Sequence, residues 1–370
     1  MHPNIFQTVQ NYVRVSRNLA NHGKKNFLLV LSRIIAGRIF YGMGPDVYDR
    51  RRFSNKKLRQ AWEHLSLRDR EDLQKRLCPM EARELVENKL RFYDECRSHG
   101  LPTPFIYGAI GIINNYVPND IPNLRSSREL AEFLSGIPAG RYVVKPVDGA
   151  HGWGVSVFDL EKGKFRNLEG QSVDIDLFFR QMMGSNYKSA GYLIQEFVRP
   201  HPKLRSIMPG PGLGTFRIVT FLVGHRSVDI PFALVKIPVG NTGTDNFDTG
   251  YSGNWVCPVD VHTGCLGNAV GKSASVPVFS EIEKRLDTGA TFRGMIVPLW
   301  EEVKSTVVKS ALVFSDLRTI GWDVAVTEGG VSIIEANWAW GENIIEVAYN
   351  RGLKHELTEL TKRSLMVGSG

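Results

Sequence analysis

The sequence predicts an α+β protein in which two lobes of mixed helices and strands follow a helical N-terminal segment. A glycine-rich loop between two apolar strands occupies residues 141–155 and centres the first lobe. The second lobe is predicted from apolar strands at residues 215–223 and 228–237 and from a strand pair at 321–326 and 331–338. With 370 residues, of which 42% are hydrophobic, the chain can bury cores for two or three such units.

Positive charge is concentrated at the N-terminus. Residues 1–60 hold twelve Lys and Arg residues against two aspartates, whereas the whole chain carries a net charge of +8. The apolar run at residues 27–41 lies in this segment and contains Arg33 and Arg38, so it is too short and too charged to span a bilayer. An amphipathic helix on an anionic membrane surface or an acidic partner is one interpretation. A solvated basic face, with its apolar side packed on the main body, is the favoured one, and nucleic acid is not an expected partner.

The four cysteines bear on the cellular compartment. Cys78, Cys96, Cys257 and Cys265 show no CxxC spacing and no accompanying pair of histidines. Neither a zinc site nor a disulfide framework is therefore indicated. No signal peptide is legible, and we expect a cytoplasmic protein, with a peripheral membrane position as the alternative.

Helices precede and surround the first lobe. Apolar residues recur at helical spacing through residues 58–97, and that helical stretch ends at a glycine followed by prolines. A strand is predicted at 105–110, followed by a helix capped by Ser126 or Ser127. A further helix at 173–183 completes a small lobe of mixed helices and strands.

The glycine-rich loop is the first candidate for function. The buried strand at residues 142–144 carries Lys145 at its end, and Gly149, Gly152 and Gly154 follow. Glycines at this spacing let backbone N–H groups approach an anion, while the lysine adds a fixed positive charge. The pattern favours a bound polyphosphate, although a plain hairpin with tight turns would give the same spacing.

A strand at residues 191–198 ends in hydrogen-bonding side chains followed by an apolar pair. Gln195 and Glu196 can face the edge of a purine, while Phe197 and Val198 can enclose its ring. This pattern alone is a weak indication of a nucleotide.

Two basic residues interrupt the apolar strands of the second lobe. Arg217 lies in the strand at 215–223, and Lys236 lies in the strand at 228–237. If these side chains are buried, each needs an anionic partner. The sequence therefore predicts buried ion pairs or a bound anion in this lobe.

The last strand pair carries the metal prediction. Glu335 and Asn337 lie two residues apart on one strand and therefore point to the same face, and the turn can bring Asp323 opposite them. Two carboxylates and an amide offer the hard oxygen ligands that Mg²⁺ prefers. A hairpin whose polar residues simply face water is the alternative.

The order of these motifs resembles the ATP-grasp superfamily, from about Lys89 to Tyr349. Four short motifs are similar to its sugar-transfer-associated branch, which is related to the α-L-glutamate ligases. They are Gly-Thr-Phe-Arg at 214–217, Asp-Asn-Phe at 245–247, Gly-Trp-Asp-Val-Ala at 321–325 and Glu-Ala-Asn-Trp at 335–338.

The resemblance implies an ATP-grasp fold in which two α+β lobes clasp a nucleotide, with ATP and Mg²⁺ as cofactors. The implied nucleotide-binding residues are Lys89, Lys145, Gly149, His151, Gly152, Gly154, Gln195, Glu196, Phe197 and Val198. The implied catalytic residues are Arg217, Lys145, Lys236 and Asn246. The implied metal ligands are Asp323, Glu335 and Asn337.

After the helical basic segment at 1–88, the resemblance implies a small lobe at 89–200 and a large lobe at 201–370. Family members mostly activate a carboxylate as an acyl phosphate and transfer it to an amine, releasing ADP and phosphate. We therefore expect a carboxylate–amine ligase acting on small molecules, with a kinase as the second reading and a nucleotide-binding accessory protein as the third. The usual α/β domain before the grasp lobes is replaced by residues 1–88, which leaves the source of the carboxylate-binding surface open.

Overall fold

A computed structural model describes most of the chain. The described residues are 5–113, 115–149, 154–161, 164–184, 190–224, 226–240, 243–273 and 275–366. Two predicted nucleotide-binding residues, His151 and Gly152, lie outside them.

The helices and strands below follow chain order within the described residues. The helices are α1 (Ile5–Gly23), α2 (Phe27–Tyr41), α3 (Pro45–Arg50), α4 (Leu67–Leu77), α5 (Met80–Glu87), α6 (Lys89–Ser98), α7 (Ser127–Gly136), α8 (Ile175–Gly184), α9 (Trp300–Val313), α10 (Glu342–Tyr349) and α11 (Lys354–Leu365). The strands are β1 (Ile106–Ile110), β2 (Asn123–Leu124), β3 (Gly140–Pro146), β4 (Ser156–Glu161), β5 (Lys164–Arg166), β6 (Tyr192–Glu196), β7 (Phe216–Val223), β8 (Ser227–Ile237), β9 (Trp255–Val259), β10 (Ala269–Gly271), β11 (Ser280–Ile282), β12 (Thr319–Thr327) and β13 (Gly330–Asn337).

The first sheet has the strand order β2-β1-β6-β3-β4-β5. Successive residues of a strand face opposite sides of the sheet, and β6 follows this rule. Tyr192 and Ile194 pack in a cluster with α7 and α8, whereas Leu193 packs in a cluster with α6 on the other side. The predicted cap of α7 is confirmed, because the Ser126 side chain accepts a hydrogen bond from the backbone N–H of Glu129.

The second sheet has the strand order β11-β10-β9-β8-β7-β12-β13. Every residue of β12 is buried, since the strand is flanked by β7 and β13 and covered by α9. Leu73 and Leu77 of α4 join the large core of this sheet. The predicted strands of both lobes are thus confirmed, and the glycine-rich loop does connect two paired strands, β3 and β4.

The first three helices build a smaller core of their own. Val15 and Leu19 of α1 meet Val30 and Ile34 of α2, and Val278 from the second half of the chain joins them. Within the described residues, no helix has both the length and the apolar character that crossing a membrane requires.

Candidate nucleotide and metal site

A cavity of about 800 Å³ lies between the two sheets. This volume is within the range of small-molecule and cofactor sites, roughly 300–1,000 Å³. It collects residues that the sequence analysis selected from distant parts of the chain. The selected residues that line it are Lys89, Lys145, Gly149, Gln195, Glu196, Phe197, Val198, Arg217, Lys236, Asn246, Asp323, Glu335 and Asn337. Gly154 closes the loop with a positive φ of 74° and packs beside Pro146.

Two lysines meet the glycine-rich loop at one end of the cavity. The Lys89 ammonium donates to the Gly149 carbonyl at 2.9 Å and lies 3.5 Å from Glu335 Oε1. The start of α6 is tied to the same loop, because the Lys89 backbone N–H donates to the Val147 carbonyl. Lys145 is only 8% exposed. Burial, together with the nearby charge of Lys89, lowers the pKa of Lys145 to about 8, although Glu335 acts in the opposite direction.

The end of β6 forms the predicted adenine-binding edge. Gln195 is buried, and its amide donates to the Pro104 carbonyl at 3.3 Å. The Glu196 carboxylate accepts a hydrogen bond from the backbone N–H of Phe105 at 3.1 Å. Beyond the strand, the Phe197 ring lies 5.4 Å below the guanidinium of Arg141. The side chains that were predicted to contact adenine are therefore held in place by the segment that leads into β1.

A chain of buried charges crosses the second sheet. Arg217 binds both oxygens of Asp323, with Nε to Oδ1 at 2.7 Å and Nη2 to Oδ2 at 3.0 Å. Lys236 bridges Asp323 and Asp245 at 3.1 Å to each. Asp245 also accepts hydrogen bonds from the backbone N–H and the hydroxyl of Thr215. The anionic partners that the sequence required for Arg217 and Lys236 are thus carboxylates of the chain itself.

The pKa values in this network follow from burial opposed by charge. Burial would raise the pKa of Asp323, but Arg217 and Lys236 hold it at about 2. Burial would lower the pKa of Lys236, but Asp245 and Asp323 raise it above its usual value. The pKa of Asp245 is raised, because its burial and the charge of Asp323 outweigh the attraction of Lys236. Asp323 is therefore ionised at neutral pH and held by two cations.

The predicted metal ligands converge at the junction of β12 and β13. Asp323 pairs directly with Glu335 across the two strands, and the Asn337 amide lies 3.4 Å from Asp323 Oδ2. A register shift after Asp323 leaves Ile334 as an extra residue in β13. Within the described residues, no three His, Cys, Asp or Glu side chains are grouped as a metal site would need. Two carboxylates and an amide still fit Mg²⁺, which takes few protein ligands and completes its shell with water and phosphate oxygens. Asp323 would share with the metal the oxygens that Arg217 and Lys236 already bind.

The family of this chain follows from a comparison with models of protein families. A family model described as sugar-transfer associated ATP-grasp matches residues 68–362. The chain belongs to the sugar-transfer-associated ATP-grasp family. The predicted ATP-grasp fold is confirmed, and the match extends further in both directions than the motifs between Lys89 and Tyr349.

The similarity to solved structures is distant. An L-amino acid ligase from Bacillus licheniformis has 13% identity and a TM-score of 0.38, covering 74% of this chain and 44% of its own. A D-alanine-D-alanine ligase from Helicobacter pylori has 15% identity and a TM-score of 0.39, covering 76% and 59%. A biotin carboxylase complex from Campylobacter jejuni has 9% identity and a TM-score of 0.44, covering 78% and 48%. The chain thus spans about half the length of these structures, and no curated protein matches it.

Gly321 explains how this ATP-grasp protein packs its buried arginine. A Cβ atom at this position would lie 2.2 Å from Trp340 Cβ and 3.0 Å from Arg217 Cδ. The absence of a side chain lets Arg217 cross β12, where its Nη1 donates to the Trp340 carbonyl at 2.6 Å. No separate sequence signal indicates this role, since Gly321 stands out only as part of the Gly-Trp-Asp-Val-Ala motif.

Two residues at the rim of the cavity, Glu87 and Trp338, were not predicted as part of the site. Trp338 donates from its indole N–H to the Glu87 carboxylate at 2.7 Å, and the Arg83 guanidinium lies 4.1 Å from its ring centroid. Glu87 and Trp338 both line the cavity. Helix α5, which the sequence assigned to the N-terminal segment, therefore contributes to the site. Trp338 was named from the sequence only as the last residue of the Glu-Ala-Asn-Trp motif at 335–338, and no role was assigned to it.

Proposed function

We propose that the protein is an ATP-dependent carboxylate–amine ligase that forms an acyl phosphate and releases ADP and phosphate. The observation that carries the proposal is the charge arrangement of the cavity. The first lobe contributes Lys89 and the buried Lys145 beside the glycine-rich loop, and the second contributes Arg217 and Lys236, which are bound to Asp323. Such a row of cations suits a triphosphate together with an anionic nucleophile.

The predicted contacts give ATP one orientation in the cavity. Gln195 and Glu196 would contact the adenine, and Lys89 and Lys145 would bind phosphate oxygens. Asp323, Glu335 and Asn337 would hold Mg²⁺, which neutralises phosphate charge and polarises the γ-phosphoryl group when bound. ATP as a substrate also agrees with the cytoplasmic location expected from the cysteines.

The proposed reaction has two steps. A carboxylate oxygen of the acid attacks the γ-phosphorus, the bond to the β,γ-bridging oxygen breaks, and ADP leaves. An amine then attacks the acyl carbon, phosphate leaves, and the amine loses a proton. Arg217 and Lys236, which line the cavity, would offset the negative charge of the two reactants. Their bonds to Asp323 keep them in place, so little reorganisation is needed during the reaction.

A kinase is the second candidate, because Asp248 also lines the cavity and is exposed. A hydroxyl substrate needs a general base within hydrogen-bond reach. Asp245 is less suited to that role, since its oxygens already accept bonds from Thr215 and Lys236. A carboxylate nucleophile needs no base at this step, and the ligase therefore leads.

The test uses hydroxylamine as the amine. The protein is incubated with ATP, Mg²⁺ and a panel of carboxylic acids, and ADP, phosphate and hydroxamate are measured together. We expect one class of acid to give equal amounts of all three products, and the Glu335→Gln variant to give none. If the γ-phosphate is recovered on a stable ester while no hydroxamate forms, the ligase proposal is wrong and the kinase replaces it.

A further inference from the structure

Helix α2 has an apolar face that no described residue covers. We define the α2 surface as Leu28, Leu29, Ile35, Ile39 and Phe40, whose exposed fractions run from 42% to 69%. The opposite side of the helix packs in the N-terminal core. Single exposed apolar residues are ordinary, but five on one short helix form a contiguous patch of the kind that marks an interaction site.

The length of the helix decides how such a face could meet a membrane. Fifteen residues give a helix about 22 Å long, whereas the hydrocarbon core of a bilayer is about 30 Å thick. The helix cannot span a bilayer, but it can lie in the interfacial plane. Trp62, which is 68% exposed, packs edge-on against Tyr41 at the end of α2. An exposed tryptophan there fits the aromatic residues that settle at a membrane interface.

Positive charge surrounds this surface. Among residues 5–62, only Asp46 and Asp49 are acidic. Asp46 is bound by Asn11 and Arg14, and Asp49 is buried against Lys272. The basic residues exposed in this segment are Arg14, Arg17, Lys24, Arg38, Lys57 and Arg59.

The arginine run at residues 50–52 is more prominent in the sequence but has another role. Arg51 binds Glu346, and Arg52 binds Glu281 and the Val347 carbonyl. These contacts connect the N-terminal segment to α10 and to strand β11 of the second sheet. The charge available to a partner therefore comes from the exposed residues around α1 and α2.

From these observations we propose that the α2 surface binds an anionic lipid bilayer, with α2 lying parallel to the membrane plane. A second copy of the chain is a poorer occupant. A two-fold contact would bring two identical basic surfaces together, and among residues 5–62 both carboxylates, Asp46 and Asp49, are already bound within the chain, with Glu63 the next acidic residue. An anionic bilayer would bury the apolar face among its lipids and would pair its headgroups with the exposed basic residues around α1 and α2. The proposal is independent of the ligase reaction.

The experiment measures binding of the whole protein to vesicles of phosphatidylcholine mixed equally with phosphatidylglycerol, and to phosphatidylcholine alone. We expect binding to the anionic vesicles that weakens in about 0.5 M salt. Replacing both Leu28→Gln and Ile39→Gln should lower the partition coefficient at least about tenfold. Lys24→Gln and Arg38→Gln should each lower it about fivefold.

The matched control is Leu286→Gln, which removes a leucine that is 89% exposed outside the α2 surface. It should leave the partition coefficient unchanged, and thermal unfolding should show that all variants fold. The proposal is overturned if the anionic vesicles do not bind the protein, or if the α2 variants bind as well as the control. It is also overturned if light scattering reveals a dimer that the Leu28→Gln and Ile39→Gln changes dissociate. ATP-dependent turnover without vesicles is measured in parallel, so failure of the ligase proposal is read separately.

Discussion

The two sheets bring an unpaired and a paired buried charge to the same cavity. In the first sheet, Lys145 is buried with no ion-pair partner among the described residues, and its pKa falls to about 8. In the second sheet, Asp323 is as deeply buried but is held by Arg217 and Lys236, and its pKa falls to about 2. Burial opposes ionisation in both cases, and only the second has counter-charges that overcome it.

The two sheets therefore differ in whether their buried charges are already paired. The second sheet carries a completed ion network, in which Asp323 is paired whether or not a ligand is present. The first sheet carries an incomplete one, so an anionic ligand such as a phosphate would relieve an existing cost. Mutations in the two sheets should therefore affect stability and affinity differently, and five predictions test the contrast.

The largest expected effect is on stability. Replacing Asp323→Ala leaves Arg217 without its carboxylate partner and Lys236 with Asp245 alone, and we expect the free energy of unfolding to fall by about 3–5 kcal/mol. Glu335→Ala is the control, because that carboxylate is 31% exposed and its ion pair with Lys89 should contribute less than about 1 kcal/mol. Urea unfolding measures both. Equal losses would contradict the distinction between the two carboxylates.

The second effect is on turnover. Glu335→Gln removes a charged oxygen ligand from the proposed Mg²⁺ site, and activity should drop at least about a hundredfold while the fold stays intact. Steady-state ADP release checks the activity, and circular dichroism checks the fold. Activity near that of the unchanged protein would remove Glu335 from the metal site.

The third effect is on nucleotide affinity. Lys145→Met keeps the length of the side chain and removes its charge, so calorimetry should show ATP binding weakened by about 1–3 kcal/mol. Unchanged affinity would mean that the glycine-rich loop is only a hairpin connection.

The fourth effect is the pH dependence of stability, which follows from the lowered pKa of Lys145. Between pH 8 and 10.5 the unfolded chain binds more protons at this residue than the folded chain, so stability should rise with pH across that window. Below pH 8, Lys145 is protonated in both the folded and the unfolded chain, so the full free-energy cost of burying its charge applies. The Lys145→Met variant should lack this rise in urea unfolding. If the unchanged protein and the variant have the same pH profile, folding does not lower the pKa of Lys145.

The smallest expected effect concerns packing in the second sheet. Gly321→Ala places a methyl group against Trp340 and Arg217 and should cost about 1–3 kcal/mol of stability. Gly329→Ala, in the turn of the same hairpin, meets only Thr327 Oγ1 at 3.9 Å and serves as the control. If thermal unfolding gives the two variants the same midpoint, the Arg217 side chain does not need the space left by Gly321.

Local patterns explain why much of the site was predictable. The period of two along a strand was enough to place Glu335 and Asn337 together, and the turn before β13 was enough to bring Asp323 opposite them. Ile334 could not be foreseen as the extra residue of a bulge, because a bulge depends on how two strands pair. The Glu87–Trp338 contact joins residues far apart in the chain, and nothing local to either one indicates the other.

The sequence by itself determined the α+β class, the order of the main strands and which residues carry charge inside apolar strands. Those features depend on periodicity and residue type, which are local. Only the tertiary structure decided which charges neutralise one another. It bound Arg217 to Asp323 and left Lys145 beside Lys89, although both basic residues lie in apolar strands. It likewise turned Arg51 and Arg52 inward and left Lys24 and Arg38 exposed, because ion pairing depends on distances that only the assembled chain fixes.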